Sequence, residues 1–302
     1  LPFDFWDFKH WIGLAEERGV SVNQINGVGL FAQLILAFGA MTSLIFIGFA
    51  TGVVRTILRE HGFRLDQTAK GFRRRRGLFT LTDVIMPTHR VQAAIVQTGP
   101  FRKRRGWHGL KFVSLAQDSK QEANYVAAPF ATLDEVWRIA IAAAIAAPDG
   151  DERLQRGAVK HWFTQLLFIV PVLLTAMAAL VIFADAPIGC AILLLLLLLL
   201  PGAFFWLDWR QYRFGLDDYQ LYVKRGWWRQ QMTIAPQVKV QSVEIAQGPL
   251  SRRQGLASLR FGIAGGTMEM IALPLATAVA IRDAVMEKVA AVDYSTIRVR
   301  TY

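Results

Sequence analysis

Two runs of basic side chains are the residues whose type and spacing could do chemistry. Arg73, Arg74, Arg75 and Arg76 are consecutive, and Arg102, Lys103, Arg104 and Arg105 form a second run. Guanidinium forks and ammonium groups bind phosphate oxygens, so such runs suit lipid head groups. Near an anionic leaflet each basic residue contributes about 1 kcal/mol. The competing reading makes them topology determinants and solvated strand ends. Arg252 and Arg253 form a thinner run further on, after Lys224 and Arg225. Catalysis finds little support. His10, His61, His89, His108 and His161 are scattered without metal-ligand spacing. Cys190, the single cysteine, lies in an apolar run and reads as a small packing residue. No nucleophile motif, phosphate loop or dinucleotide fingerprint occurs, no cofactor or metal is implied, and the chain reads as a non-enzyme.

The elements that must position these residues are dominated by lipid-like segments. The chain has 302 residues, 53% of them hydrophobic, with a mean hydropathy of +0.31, a net charge of +11 and a pI near 10.1. A chain both greasy and basic suits a membrane protein whose polar parts meet an anionic surface better than a nucleic-acid binder. Transmembrane helices are expected over 28–55, 162–183 and 187–207, since roughly 20 apolar residues cross a core of about 30 Å. Ala184-Asp185-Ala186 leaves room only for a tight turn, so the second and third form a hairpin, with Asp185 exposed outside. Trp206 and Trp209, at the end of the third helix, look like aromatic-belt anchors. Residues 55–161 and 208–302 carry an excess of Lys and Arg, whereas 1–27 carry an excess of Asp and Glu. The positive-inside rule then puts 1–27 outside as a loop and both basic regions in the cytoplasm.

Those basic regions are copies of each other. Arg75 to Phe112 lies over Lys224 to Phe261 without a gap. Arg76, Gly77, Ile85, Pro87, Val91, Gln92, Gly99, Pro100, Arg104, Gly106, Leu110 and Phe112 recur as Arg225, Gly226, Ile234, Pro236, Val240, Gln241, Gly248, Pro249, Arg253, Gly255, Leu259 and Phe261. Within the second copy, 220–226 and 239–245 read as strands, and 259–263 with 268–273 as a hairpin turning at Gly265 and Gly266. A helix closes each copy, over 132–147 with Thr132 as N-cap and over 276–290. Each copy thus predicts a partly open β-barrel of the pleckstrin-homology (PH) type, capped by its C-terminal helix. Whether the copies pack on each other stays open.

The repeated signature resembles the bacterial PH-domain membrane proteins of the YdbS and YdbT type: Arg-Gly, then Ile-x-Pro, a basic residue before Val-Gln, Gly-Pro, Arg-x-Gly and Leu-x-Phe. In such proteins transmembrane hairpins and PH-like domains alternate. The expected layout is a PH-like domain over 56–148, a linker over 149–161, a second PH-like domain over 208–292 and a tail over 293–302. The first helix, following Leu1, would be the second half of a hairpin whose partner comes earlier. The resemblance implies a non-catalytic membrane adaptor or scaffold, with a role in envelope stress or protection against membrane-active peptides. Its partners would be the bilayer, anionic phospholipids, and another protein or further copies. A lipid-binding module and a transporter component are the rivals; three helices with few polar residues disfavour the transporter. Trp107, beside Arg105, either inserts at the membrane interface or packs beneath the barrel rim. The expected early turns, 66–71 and 217–220, hold one Lys, which argues against phosphoinositide selectivity.

Overall fold

The computed structural model describes residues 30–114, 124–148, 154–183 and 188–291. The expected outer loop, Asp185 and the tail lie outside the described residues. The chain divides into two compact units.

One unit holds helix α1 (Leu30–Glu60) and the loop Arg76–Leu81. The helix runs 31 residues, and its large apolar side chains from Ile35 to Phe49 face outward. Its polar side chains are satisfied locally. Thr42 donates to Phe38 O at 2.7 Å, Ser43 to Ala40 O at 2.8 Å and Thr51 to Ile47 O at 2.7 Å. Lipid offers no hydrogen bonds, so a helix exposed to it must bond its own hydroxyls inward. At the helix end Arg76 Nη1 donates to Glu60 Oε1 at 2.5 Å, and Leu78 N–H donates to Leu58 O at 3.0 Å. These bonds fasten the loop to the last helical turns.

The other unit holds both β-rich copies and a helical hairpin. The first copy comprises β1 (Arg64–Thr68), β2 (Gly71–Arg76), β3 (Thr82–Pro87), β4 (Val91–Thr98), a short helix α2 (Pro100–Arg104), β5 (His108–Ser114), β6 (Asn124–Ala131) and α3 (Leu133–Ala142). Then come α4 (Val159–Phe183) and α5 (Ile188–Gln211). The second copy repeats the order: β7 (Arg213–Leu216), β8 (Gln220–Arg225), β9 (Gln230–Pro236), β10 (Val240–Ala246), α6 (Pro249–Arg253), β11 (Leu256–Ile263), β12 (Gly266–Pro274) and α7 (Leu275–Ala290). Among the described residues two stretches, Ile35–Glu60 and Val159–Ala176, are long and apolar enough to cross a membrane, and almost none of their most apolar part is buried within the protein.

The identities between the copies are largely the residues that turn the chain. Gly77 and Gly226 hold φ of 117° and 85°, and a Cβ there would come within 2.1 Å of Thr80 O and 2.4 Å of Arg229 O. Gly99 and Gly248 cap α2 and α6, each followed by Pro at the first helical position, where no N–H is needed. Helix α3 starts from Thr132 in a reciprocal capping box with Glu135, whose carboxyl is held below its usual range by the Thr132 backbone N–H. It stops earlier than its apolar pattern predicts. Ala144 adopts φ of 60°, Ala144 N–H bonds to Ile141 O, and Ile145 N–H bonds back to Ala140 O. That is a Schellman ending, locked by burial of Ile145.

The copies do not form separate barrels. Strands β4 and β9 pair antiparallel, Ala94 opposite Ile234 and Val96 opposite Met232, fusing half of each copy into one six-stranded sheet ordered β6-β5-β4-β9-β8-β7. The sheets β1-β2-β3 and β10-β11-β12 pack on its opposite faces. Side chains alternate along a strand, so neighbours serve different cores. Ala94, Val96, Phe112, Tyr222 and Ile234 join the core against Phe72 and Met86. Ala93, Val113, Leu221, Val223 and Ala235 join the core against Phe261, Met270 and α7. A second contact locks the copies: Gly265, at φ of 90°, sits so close to β5 that a Cβ would fall 2.1 Å from Ser114 O.

Gly265→Ala is therefore expected to lower the thermal unfolding midpoint of the detergent-solubilised chain by several degrees. Gly266→Ala, whose Cβ would meet only Val113 Cγ1 at 3.7 Å, leaves it nearly unchanged. Paired thermal melts of the two variants check this.

Candidate functional site

The strand period splits the first basic run. In β2 Arg73 and Arg75 point to one side and Arg74 and Arg76 to the other. Arg73 forms a two-pronged pair with Asp83 of β3, at 2.5 Å for Nη2 to Oδ2, and Arg75 lies 3.9 Å from Asp66 and 3.8 Å from Asp83. The hydrogen bond from Arg73 holds the Asp83 carboxyl below the usual carboxylate range. Arg74 is buried, donating to Val126 O at 3.0 Å with its guanidinium 4.4 Å from the Tyr125 ring centre. Arg76 is held by Glu60. The run is spent on internal pairs.

The second run sits differently. Gly99-Pro100 starts α2 at the end of β4, and its one and a half turns carry Arg102, Lys103, Arg104 and Arg105 on the surface. Aromatic rings stand among them. Arg102 lies 4.5 Å from the Phe130 ring, Trp107 packs edge-on to Phe130 at 5.9 Å, and Arg105 lies 5.8 Å from Trp107. Phe101 is 75% exposed and meets Trp228, 57% exposed, at 6.2 Å. A shallow cleft of about 330 Å³ lies between them, walled by Gln97, Pro100, Arg102 and Arg229. Trp107 is thus neither free nor packed under the rim; it is a half-open edge of this surface.

Two contacts locate the surface against the helical hairpin. Trp227, next to Trp228 in the β8–β9 turn, packs edge-on to Phe204 of α5 at 6.0 Å. On the other copy's counterpart, α6, Gln254 donates to Thr164 of α4 at 2.6 Å. Both short Gly-Pro helices, with Arg252 and Arg253 exposed on α6, therefore lie on the side of the fused sheet where α4 begins and α5 ends. Strands alternate in direction, so the turns at 217–219 and 237–239 fall at the opposite end.

The two predicted tryptophan anchors separate. Trp206 is exposed, with Arg210 5.3 Å from its ring. Trp209 is half-buried and its indole N–H donates to Gly157 O at 2.9 Å. It belongs to a clamp in which Trp162 donates to Asp208 at 3.0 Å and packs at a tilt against Tyr212, ring centres 5.1 Å apart. The Tyr212 hydroxyl accepts the Ile271 N–H at 2.7 Å, and burial pushes its phenol pKa up, so it stays neutral. Gly157 fits beneath, where a Cβ would stand 3.0 Å from the Tyr212 ring and 3.1 Å from that of Trp162.

Sequence reasoning passed over Phe101, Phe130, Trp227 and Trp228. A signal was present: both copies follow Arg-Gly with two large apolar residues, Leu78-Phe79 and Trp227-Trp228, where a turn should be polar. Among the described residues no cluster of His, Cys, Asp and Glu could hold a metal.

Tandem β units of three plus three strands, each closed by a helix, have the architecture of PH domains. The family model described as Bacterial PH domain matches residues 22–144 and again 165–289, and the chain belongs to that family. No curated protein and no solved structure gives a significant match.

Trp162→Ala is expected to destabilise the chain by about 3–5 kcal/mol through loss of a buried ring, whereas Trp228→Ala changes stability by about 0.5 kcal/mol or less. Denaturant unfolding of both variants in the same detergent measures the contrast.

Proposed function

We propose that this chain is a multi-pass membrane protein whose fused PH domains hold a basic, aromatic face against the anionic cytoplasmic leaflet and serve there as a non-catalytic platform for lipid and protein partners. The observation that carries the reading is the placement of α2 and α6: both exposed arginine runs lie on the hairpin side of the sheet, the α2 run among exposed aromatic rings. Arginine supplies attraction to phosphate, and Phe101, Trp107 and Trp228 supply rings suited to the head-group depth. Helix α5, with its leucine run, would be the return span after α4, giving three crossings with α1. The excess of Lys and Arg in both β-rich regions supports a cytoplasmic placement. Six exposed basic groups and a shallow cleft favour charge-dependent contact with acidic phospholipids over one chosen head group. An adaptor role in envelope protection, as a YdbT-like protein, is the setting we infer for such a platform.

Because the two copies share one sheet, the whole chain is the unit to test. Purified in neutral detergent, it is titrated with phosphatidylglycerol or phosphatidylcholine while its thermal midpoint is followed. Phosphatidylglycerol is expected to raise the midpoint by several degrees more than phosphatidylcholine. The gap should close between 0.1 and 1 M salt, as the screening length falls from about 10 Å to about 3 Å. Replacing Arg102, Lys103, Arg104, Arg105, Arg252 and Arg253 by Gln should remove most of it. Equal responses to both lipids at low salt would refute the leaflet-binding role.

A further inference from the structure

Strand pairing inside the chain follows one rule: the fourth strand of one copy joins the third strand of the other, β4 with β9. The chain contains each of those strands twice, and the remaining pair is unused. Strand β3 ends the sheet β1-β2-β3 and β10 ends the sheet β10-β11-β12, each with its outer edge unpaired among the described residues.

The side chains mark β3 as an edge lacking its neighbour. Ile234 on β9 and Ile85 on β3 occupy the same position of the repeat. Ile234 is 0% exposed because pairing with β4 places it in the core against Phe72 and Met86, whereas Ile85 is 58% exposed. A second feature of the internal seam has the same open counterpart. Lys239 Nζ donates to His89 O at 3.3 Å. The equivalent residues, Arg90 and Val238, are both on the surface. An unpaired strand bearing an exposed Ile is a template for another strand.

We propose that the outer edge of β3 docks β10 of a second copy of this chain, repeating the β4–β9 seam between molecules. Transferring the internal register puts Val243 of one copy opposite Ile85 of the other, as Ala94 lies opposite Ile234, and sets Ile245 opposite Asp83. Arg90 then reaches the carbonyl of Val238 as Lys239 reaches that of His89. A second copy is the fitting occupant because the acceptor edge and the donor edge are the same two strands the chain already joins once. The two surfaces differ, so the contact is heterologous and builds rows or rings rather than a closed two-fold pair. The strands run toward and away from the hairpin end, so the seam extends sideways and copies anchored in one leaflet can meet.

The test uses the full chain with Cys190→Ala, expressed as two differently tagged forms, one carrying Ile85→Cys and the other Val243→Cys. A short thiol cross-linker applied to membranes is expected to yield a mixed dimer carrying both tags, and neither form alone should dimerise. A chain carrying both cysteines should give a ladder of multiples. Arg90→Glu added to the form carrying Ile85→Cys, a change at an exposed position, should sharply reduce the mixed dimer while leaving the thermal midpoint unchanged. Two results would overturn the proposal: no mixed dimer, or a double-cysteine chain that closes only on itself as a monomer. Loss of phosphatidylglycerol sensitivity without loss of cross-linking would dismiss the leaflet role and leave this contact standing.

Discussion

The fold depends on the pairing of β4 with β9. Each strand in that seam is pressed by a hydrophobic core on both faces, which explains its residues. Ala93, Ala94 and Ala235 are all fully buried there. Two sheets packing about 10 Å away on opposite faces leave little depth beside the seam, and larger side chains would push one sheet off. Strands buried on both faces lose the polar–apolar alternation of a half-buried strand, and Val91-Gln92-Ala93-Ala94-Ile95-Val96 shows that loss. Neither copy retains a complete core alone, since Tyr222 and Ile234 fill the first core and Ala93 and Val113 the second.

From the seam follows the disposition of everything else. With the two copies fixed in one sheet, α2 and α6 fall at the same end, and the clamp of Trp162, Asp208, Trp209 and Tyr212 ties that end to the hairpin. Charge placement and helix placement are then one geometric fact. The arginines that face outward at this end are those on helical turns. Those within strand β2 are neutralised by Asp66 and Asp83 or turned inward toward Tyr125 and Glu60.

Much of this was legible in the sequence, for a physical reason. The residues shared by the copies are turn-makers, and turn geometry is local: Gly226 needs its positive φ, Pro249 its N1 position, Thr132 its cap, wherever the rest of the chain lies. Element order and the repeat could thus be read directly. The fate of Arg73 to Arg76 could not. Adjacency in sequence makes them one cluster, but a strand sends neighbours to opposite sides, and their carboxylate partners come from β1, β3 and the end of α1. The exposed rings were hidden for the opposite reason, since Phe101 and Trp228 look like core residues until the sheet is assembled. The β4–β9 pairing has no local mark at all. It arises from which edges remain when each copy has formed its own hairpins.

The clamp at Gly157 has a mechanical meaning. Both feet of the hairpin are held by indole hydrogen bonds and packed rings, and Gln155 pairs with Phe214 through two backbone bonds that extend the sheet's edge. Such a joint fastens the hairpin to the sheet at both feet. In the membrane placement proposed above, a bilayer that thins or thickens would change the tilt of the hairpin, and the joint would carry that rotation to the arginine-bearing face. On that placement, membrane thickness would bear on the angle at which the charges meet the lipid.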